Sequence, residues 1–436
     1  MLRTALSSRD REAVAAIQTS PHFWIASLPS GARNDKRALT HFLAKVSTSR
    51  VTPPGRPALV ATYDVVVAGG GVVGAATAYH LVREGVKTLL VDRRDDGRAT
   101  DAGAGILSTA TNTEDPDPIE RFEARAAEYY PILVERLRGD GAGDPGYRVC
   151  GSLTVAVDDD EVAHFHQVRT GLRRWRAAKD HGYAEIGPDE AKGLFPPLAD
   201  AKGAIHCGRG ARVDGRSLAA ALLRAAGQRG LEVRHAAVDG LIVEHGAVAG
   251  IRIAGERIAC GHAVIAAGAW SKELGQSLGI DIPVEPQRGQ IIHLGLPGVE
   301  TSAWPIVLAF RGHYMVPWDD GRVAVGATRE TGSGFRPHTT AAGVIQVLTE
   351  ALRVAPGLAD AMICEIRVGL RPASRDGLPI LGPVRGVANL LLATGHGSVG
   401  LQLGPYSGKL VADLIAQGEA ETDIAPFSLA RFTRPS

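Results

Sequence analysis

Cysteine is scarce in this chain. The four cysteines, Cys150, Cys207, Cys260 and Cys364, are widely scattered among 436 residues, and no C-x-x-C pair occurs. That pattern argues against a disulfide framework and a cysteine zinc site, and no metal is expected. Buried, reduced thiols of a cytosolic protein are the reading that remains. Net charge is small as well, because 48 Lys and Arg against 47 Asp and Glu leave +1. Such a balance gives no reason to invoke nucleic acid or an anionic membrane. Long apolar runs are missing. Gly386 to Gly408 carries no charged residue, yet glycines, a proline and polar side chains interrupt it, and only Leu390 to Ala393 is continuously apolar. Four such residues suit a strand and fall far short of a bilayer span. The expected location is cytoplasmic, with attachment at the periphery of the inner membrane as the alternative.

What is present is an ordinary globular composition, 45% apolar and 22% charged. A chain of this length exceeds one hydrophobic core, so two or more domains are expected. Residues 1–62 differ from the rest, with Arg3, Arg9, Arg11, Arg33, Lys36 and Arg37 among few acids. No uninterrupted apolar segment marks a secretory signal there. A mitochondrial transit peptide and a loosely ordered extension both fit, and the extension is preferred. Val51 to Pro57, with three prolines, reads as a linker.

The most informative segment runs from Tyr63 to Asp92. Val65 to Ala68 suits a buried parallel strand. Gly69, Gly71 and Gly74 follow in G-x-G-x-x-G spacing, Val72 to Glu84 has helical character, and Thr88 to Val91 is a second apolar run closed by Asp92. Gly69 permits a tight turn, Gly71 lets the backbone approach a pyrophosphate, and Gly74 lets helix pack on strand. The helix N-terminus, at Val72 and Val73, faces the phosphate charge. Asp92 is placed to accept from a ribose hydroxyl. With 53 glycines in the chain, the spacing alone is a weak signal. The full order of strand, turn, helix, strand and acid is a strong one.

Further along, Pro118 to Leu137 and Asp158 to Lys179 read as helices, and Tyr147 to Val157 as a strand. Asp214 to Gly230 is helical with an alanine and leucine face. Glu232 to Val238, Leu241 to Glu244, Val248 to Ile253, Glu256 to Cys260 and His262 to Ala267 read as short strands, the last running into Gly268. Tyr314 to Pro317 and Arg322 to Ala327 flank the turn Asp319-Asp320-Gly321 as antiparallel strands. Thr339 to Val354 is a helix. Asn389 to Thr394 is a strand, followed by Gly395-His396-Gly397-Ser398-Val399-Gly400 and a last helix. This second glycine-rich strand-to-helix turn is able to aim backbone N–H groups at an anionic ring.

Four segments, in order, carry a resemblance: Gly69 to Asp92, the small-residue loop Arg98 to Ser108, Val368 to Gly382 with its Gly-Leu-Arg-Pro, and Thr394 to Gly408. The region from Tyr63 to about Phe432 resembles the FAD-dependent amino acid oxidoreductases, the family of D-amino acid oxidase, glycine oxidase, sarcosine oxidase and D-amino acid dehydrogenase. The resemblance implies an α/β plus α+β chain. A Rossmann-like FAD-binding domain, discontinuous in sequence (63–115, 206–284 and 366–436), would join a substrate domain on an antiparallel sheet (116–205 and 285–365). It implies cofactor contacts at Gly69, Gly71, Val72, Val73, Gly74, Asp92, Arg93, Thr100, Ala102, Gly103, Gly105, Val238, Gly268, Gly395, His396, Gly397 and Gly400. Some sarcosine oxidases attach flavin to a cysteine near Gly-Leu-Arg-Pro; here that position is Gly369, with Cys364 five residues earlier. Non-covalent FAD is therefore expected.

For the substrate, the resemblance points to Arg371, because a guanidinium pairs bidentately with a carboxylate. A structural ion pair is the competing reading. Tyr314 matches a family strand whose tyrosine borders the carboxylate, and an ordinary core tyrosine is the alternative. Arg311 is a weaker second candidate. His396 as a catalytic base is disfavoured, since the backbone of its loop explains its setting. The implied activity is FAD-dependent oxidative deamination of glycine or a D-amino acid, by hydride transfer to flavin N5. Oxygen or a quinone is the implied acceptor. Oxidation of sarcosine or another N-alkyl amino acid is the next reading. Others are a flavin subunit in a heteromeric opine, proline or glycine dehydrogenase, and an NAD-dependent dehydrogenase. The state of assembly, homo-oligomer or heteromeric oxidase, is left open.

Overall fold

The computed structural model describes residues 62–107, 116–175 and 178–432. The basic N-terminal segment, its proline-rich linker and the end of the small-residue loop lie outside them. The site is positioned by β1 (Thr62–Ala68), α1 (Val72–Arg83), β2 (Thr88–Val91), α2 (Pro118–Gly139), β3 (Glu256–Ile265), β4 (Val284–Gly295), β5 (Tyr314–Pro317), β6 (Arg322–Gly326), β7 (Met362–Ser374), β8 (Leu390–Thr394) and α3 (Gly400–Ala416).

One sheet is parallel at its centre. β1 lies between β3 and β2, in register Val66 with Ala263 and Leu89, and β8 continues the sheet beyond β3. Both faces are covered where the strands run parallel, which is why residues 65–68, 89–91, 263–265 and 390–393 are apolar instead of alternating. On one face Val65, Val67, Leu90 and Val264 pack under α1, α2 and α3, with Phe122, Tyr129 and Leu133 of α2 in the same core. On the other face Val66, Leu89 and Ile265 meet Ile251, Ile258 and Leu392. Close approach of α3 to α1 requires Gly408, where a Cβ would stand 2.7 Å from the Cβ of Ala76. The charged helix expected from Pro118 is α2. It starts at a reciprocal cap, the Asp117 carboxylate accepting from the Glu120 N–H and the Glu120 carboxylate from the Asp117 N–H, each at 2.9 Å.

Among the described residues the second sheet has nine strands, eight of them in the order Glu330–Thr331, β4, β6, β5, Ile306–Ala309, Ser152–Ala156, Gly203–Cys207 and Tyr183–Ile186, with β7 also paired to β4. β5 and β6 pair antiparallel about the expected Asp-Asp-Gly turn. β4 and β7 pair over almost their whole length, including Gly289 with Gly369 and Gln287 with Arg371.

Several expected elements have other limits. The two short strands expected on either side of Gly261 form one strand, β3, whose first part pairs with Ala247–Ile253 and whose second part pairs with β1 and β8. The strand expected from Tyr147 to Val157 is broken at Gly151, whose φ of 77° turns the chain. The helix expected to reach Lys179 ends at Arg174. Two elements also straddle the expected domain limits, because α2 packs into the first core and β7 belongs to the second sheet. We therefore propose the division of the sequence reading with α2 counted in the cofactor domain and β7 shared.

Candidate active site

The carboxyl ends of β1, β2, β3 and β8 open onto one cavity of about 470 Å³, lined there by Ala68, Val91, Ala266 and Thr394. This is where a ligand binds in an open α/β sheet. The second sheet and the loop after β6 close the other side with Gly289, Ile291, Tyr314, Arg329 and Arg371. Every residue named above as a contact lines this cavity except Gly74, Gly395 and Arg311.

At the first turn each glycine has its own reason. Gly69 has φ +112°, and a Cβ on it would meet the Ala266 carbonyl oxygen at 2.4 Å. A Cβ on Gly74 would stand 1.9 Å from the Gly69 oxygen, so Gly74 seats the helix on the strand and does not face the cavity. Gly71 is different. Its backbone is ordinary, with φ −67°, and a Cβ would meet only the Thr100 hydroxyl, at 3.2 Å. What its missing side chain leaves open is the cavity itself. Val72 departs from expectation, because its N–H is donated to the Thr100 hydroxyl at 2.9 Å. The small-residue loop thus ties directly to the start of α1.

Asp92 lines the cavity with its carboxylate held by the Arg98 guanidinium at 2.9 Å and by the Arg94 N–H at 3.2 Å. Gly70, overlooked in the sequence, makes room for it, since a Cβ there would lie 2.7 Å from the Asp92 oxygen. Arg98 also pairs with Asp101 at 2.7 Å, which locks the loop. Arg93 pairs with Asp95. Gly395, with φ +75°, sits behind the wall and shapes the second turn. His396 lines the cavity, is 2% exposed, and has Nε2 2.9 Å from the Ser407 hydroxyl. Burial pulls its imidazole down to about 4. A base of that strength is a poor proton acceptor at neutral pH. The start of α3, at Gly400 and Leu401, faces the same space.

On the opposite wall Arg371 lies across Gly289, whose Cβ, if present, would overlap the guanidinium at 2.4 Å from Nη2. Its Nη1 donates to the Thr328 carbonyl at 2.9 Å. The Tyr314 ring rests on Gly326, where a Cβ would meet the phenol oxygen at 3.0 Å. Burial pulls the Arg371 guanidinium down, opposed by the neighbouring Tyr314. Burial pushes the Tyr314 phenol up, against the pull of Arg371 and Arg329. Among the described residues no carboxylate forms an ion pair with Arg371. Glu330, the acid whose charge bears on Arg371, is taken up by Arg288, Gln290 and Thr328. The competing structural reading of Arg371 therefore lacks an acid partner. Arg311 is a correction: it lies outside the cavity and pairs with Asp158 at 2.9 Å and Asp160 at 3.0 Å. Arg329, Gly289 and Trp270 line the cavity but were missed, since no motif surrounds them. Arg329 lies three residues past β6, and Gly289 looks like any strand glycine.

These features fit FAD. Two helix N-termini face one elongated cavity, a glycine without strain leaves a cradle at the first, and an acid closes β2. Among the described residues no cysteine lines the cavity, and a Cβ on Gly369 would press on Ala102 at 2.9 Å.

The family model for FAD dependent oxidoreductases matches residues 64–414. Glycine oxidase of Pseudomonas aeruginosa is 33% identical over 370 residues, 84% of this chain and 98% of that protein. An uncharacterised oxidoreductase of Bacillus subtilis, YurR, is 36% identical over 366 residues, again 84% and 98%. Among solved structures, iminodiacetate oxidase from Chelativorans sp. BNC1 is 44% identical with a TM-score of 0.78, covering 84% of this chain and 98% of that one.

Proposed function

This chain belongs to the FAD-dependent oxidoreductase family, an enzyme of amino acid C–N bonds, and from that premise we propose that it oxidises a glycine unit gripped by Arg371. The observation that carries the reading is a guanidinium with no acid partner among the described residues, on the cavity wall opposite the cofactor cradle. A bidentate pair with an amino acid carboxylate would supply the missing charge. Tyr314, beside it, offers a hydroxyl to the same carboxylate. Gly289 keeps the guanidinium flat against β4, so one geometry is held without rotamer search. The Thr328 carbonyl takes one N–H of Nη1, and the Tyr314 hydroxyl bears on the same guanidinium. When bound, FAD supplies the two-electron acceptor, and the imine product hydrolyses in water to an oxo acid and an amine. The chain's own residues contribute positioning and exclusion of water.

Glycine and D-amino acids are the primary-amine substrates of this reading. A secondary amine, an N-substituted glycine, is favoured over them by the 44% identity to iminodiacetate oxidase. The test is a substrate screen of the FAD-loaded protein with glycine, D-alanine, sarcosine and iminodiacetate, read by oxygen consumption and by dye reduction. Turnover of at least one carboxylated amine is expected. A yellow protein inert to all four would overturn the proposal.

A further inference from the structure

Two guanidiniums face the substrate end of the cavity, and the function proposed above uses only one. Arg329 lines the cavity together with Arg371, and both bear on the same phenol, Tyr314. Its Nη1 donates to the Gly312 carbonyl at 3.3 Å. Among the described residues no acid forms an ion pair with it. This sets it apart from other arginines of the same sheet region. Arg288 pairs with Glu330 at 2.6 Å, Arg311 with Asp158, and Arg353 with Glu161 at 2.9 Å. Among the described residues the second sheet contributes no acid to the cavity wall. Acids that do line the cavity, such as Asp92 and Asp95, belong to the dinucleotide end and are paired with Arg98 and Arg93. The substrate end is therefore dicationic, and a monocarboxylate neutralises half of it.

We propose that Arg329 is a specificity-determining residue that binds a second carboxylate, so that the substrate is a dicarboxylic amino acid. This rests on the reading that Arg371 holds the first carboxylate. Arg329 stands three residues past the last residue of β6, whereas Arg371 lies within β7. The two carboxylates would thus be held from separate strands, with the amine between them. The second carboxylate has two chemical sources, a carboxymethyl group on nitrogen or an acidic side chain on carbon. Iminodiacetate and D-aspartate represent them.

The test compares wild type, Arg329→Leu and Arg329→Lys, all FAD-loaded. kcat/KM is measured on iminodiacetate, D-aspartate, sarcosine and D-alanine. Binding of the ether diglycolate, and of methoxyacetate, which has a single carboxylate, is followed by the change in flavin absorbance. In Arg329→Leu the ratio of dicarboxylate to monocarboxylate kcat/KM should fall by roughly 10- to 100-fold, the worth of one charge-assisted pair. Arg329→Lys should recover part of it. Diglycolate should bind wild type more tightly than methoxyacetate and lose that advantage in Arg329→Leu. Whichever of iminodiacetate and D-aspartate shows the larger change identifies the source. An unchanged ratio and unchanged diglycolate preference would overturn the inference. So would a lower FAD content in Arg329→Leu with equal loss on all substrates, which would assign Arg329 to the cofactor. Turnover of sarcosine with no dicarboxylate preference would remove this inference and leave the proposed function standing. Arg329-dependent diglycolate binding without turnover of any amine would overturn the proposed function and, with it, the amino acid substrate, leaving Arg329 only as a carboxylate-binding residue.

Discussion

At the scale of single residues, the site depends on side chains whose neighbours are missing atoms. Arg371 and Tyr314 occupy their places because Gly289 and Gly326 have no Cβ. The Gly-Leu-Arg-Pro segment singled out Arg371 for the proposed carboxylate grip, but its freedom from an acid was not legible there. That freedom arises because Arg288, from the neighbouring strand, takes Glu330. Replacing Arg371 with Ala should leave FAD content intact and reduce kcat/KM by an amount on the order of 2–5 kcal/mol, the cost of leaving a carboxylate unpaired. Arg371→Lys should rescue only part, because an ammonium cannot reproduce the planar fork. A matching amine without a carboxylate should be a poor substrate and almost insensitive to either change. Equal losses on both compounds, with lower FAD content or melting temperature, would mark Arg371 as structural.

At the scale of elements, the strand-turn-helix unit from β1 through α1 to β2 separates two roles of glycine. Gly74 is required by the fold, since a Cβ there meets the Gly69 oxygen at 1.9 Å. Gly71 we propose to be required by the ligand, since a Cβ there meets only the Thr100 hydroxyl. Gly71→Val should therefore give a folded but colourless protein with a near wild-type circular dichroism spectrum. Gly74→Val should fail to accumulate as folded protein. Retention of FAD by the Gly71 variant would place the pyrophosphate elsewhere. The spacing of these glycines could be read from the sequence. The bond from Val72 to Thr100 could not, because it joins residues 28 positions apart.

At the scale of the whole molecule, two cores and a shared cavity produce two measurable properties. The cavity wall carries no thiol and Gly369 stands against Ala102, so FAD should be held without a covalent bond. Acid precipitation should release the yellow colour into the supernatant, and colour in the pellet would contradict this. The second property is a pH dependence of stability. Burial, with help from nearby cations, pulls His80 down to about 3, and burial alone pulls His396 down to about 4, from 6.5. Both are neutral when folded, and the unfolded chain binds the protons that the fold refuses. Their contribution is complete above pH 6.5 and is lost as pH falls, through about 4 for His396 and about 3 for His80. Each histidine should cost about 1.4 kcal/mol per pH unit across that window. The melting temperature should thus decline from pH 6.5 to pH 5, and His80→Gln should flatten the decline. A melting temperature that stays level over this range in wild type would sink the idea. Among the described residues no helix is long and apolar enough to cross a membrane.

From its own pattern the chain determined the strand-turn-helix unit, the second glycine-rich turn and the family, and it singled out the arginine of Gly-Leu-Arg-Pro as the candidate proposed for the carboxylate. These are local signals, in which a turn, its glycines and the following helix lie within a few residues of one another, so spacing alone encodes them. Tertiary structure decided the rest. It joined the two turns on one cavity, set Gly289 under Arg371 across a strand pair, and placed α2 in the first core. It tied Arg311 to Asp158 and Asp160 outside the site, and brought Arg329 to the cavity wall. Which arginine stays free of an acid depends on which carboxylates other strands and helices bring near it. That pairing joins positions far apart in the chain, such as Arg311 with Asp158 and Arg288 with Glu330, and no periodicity or motif in one dimension records it.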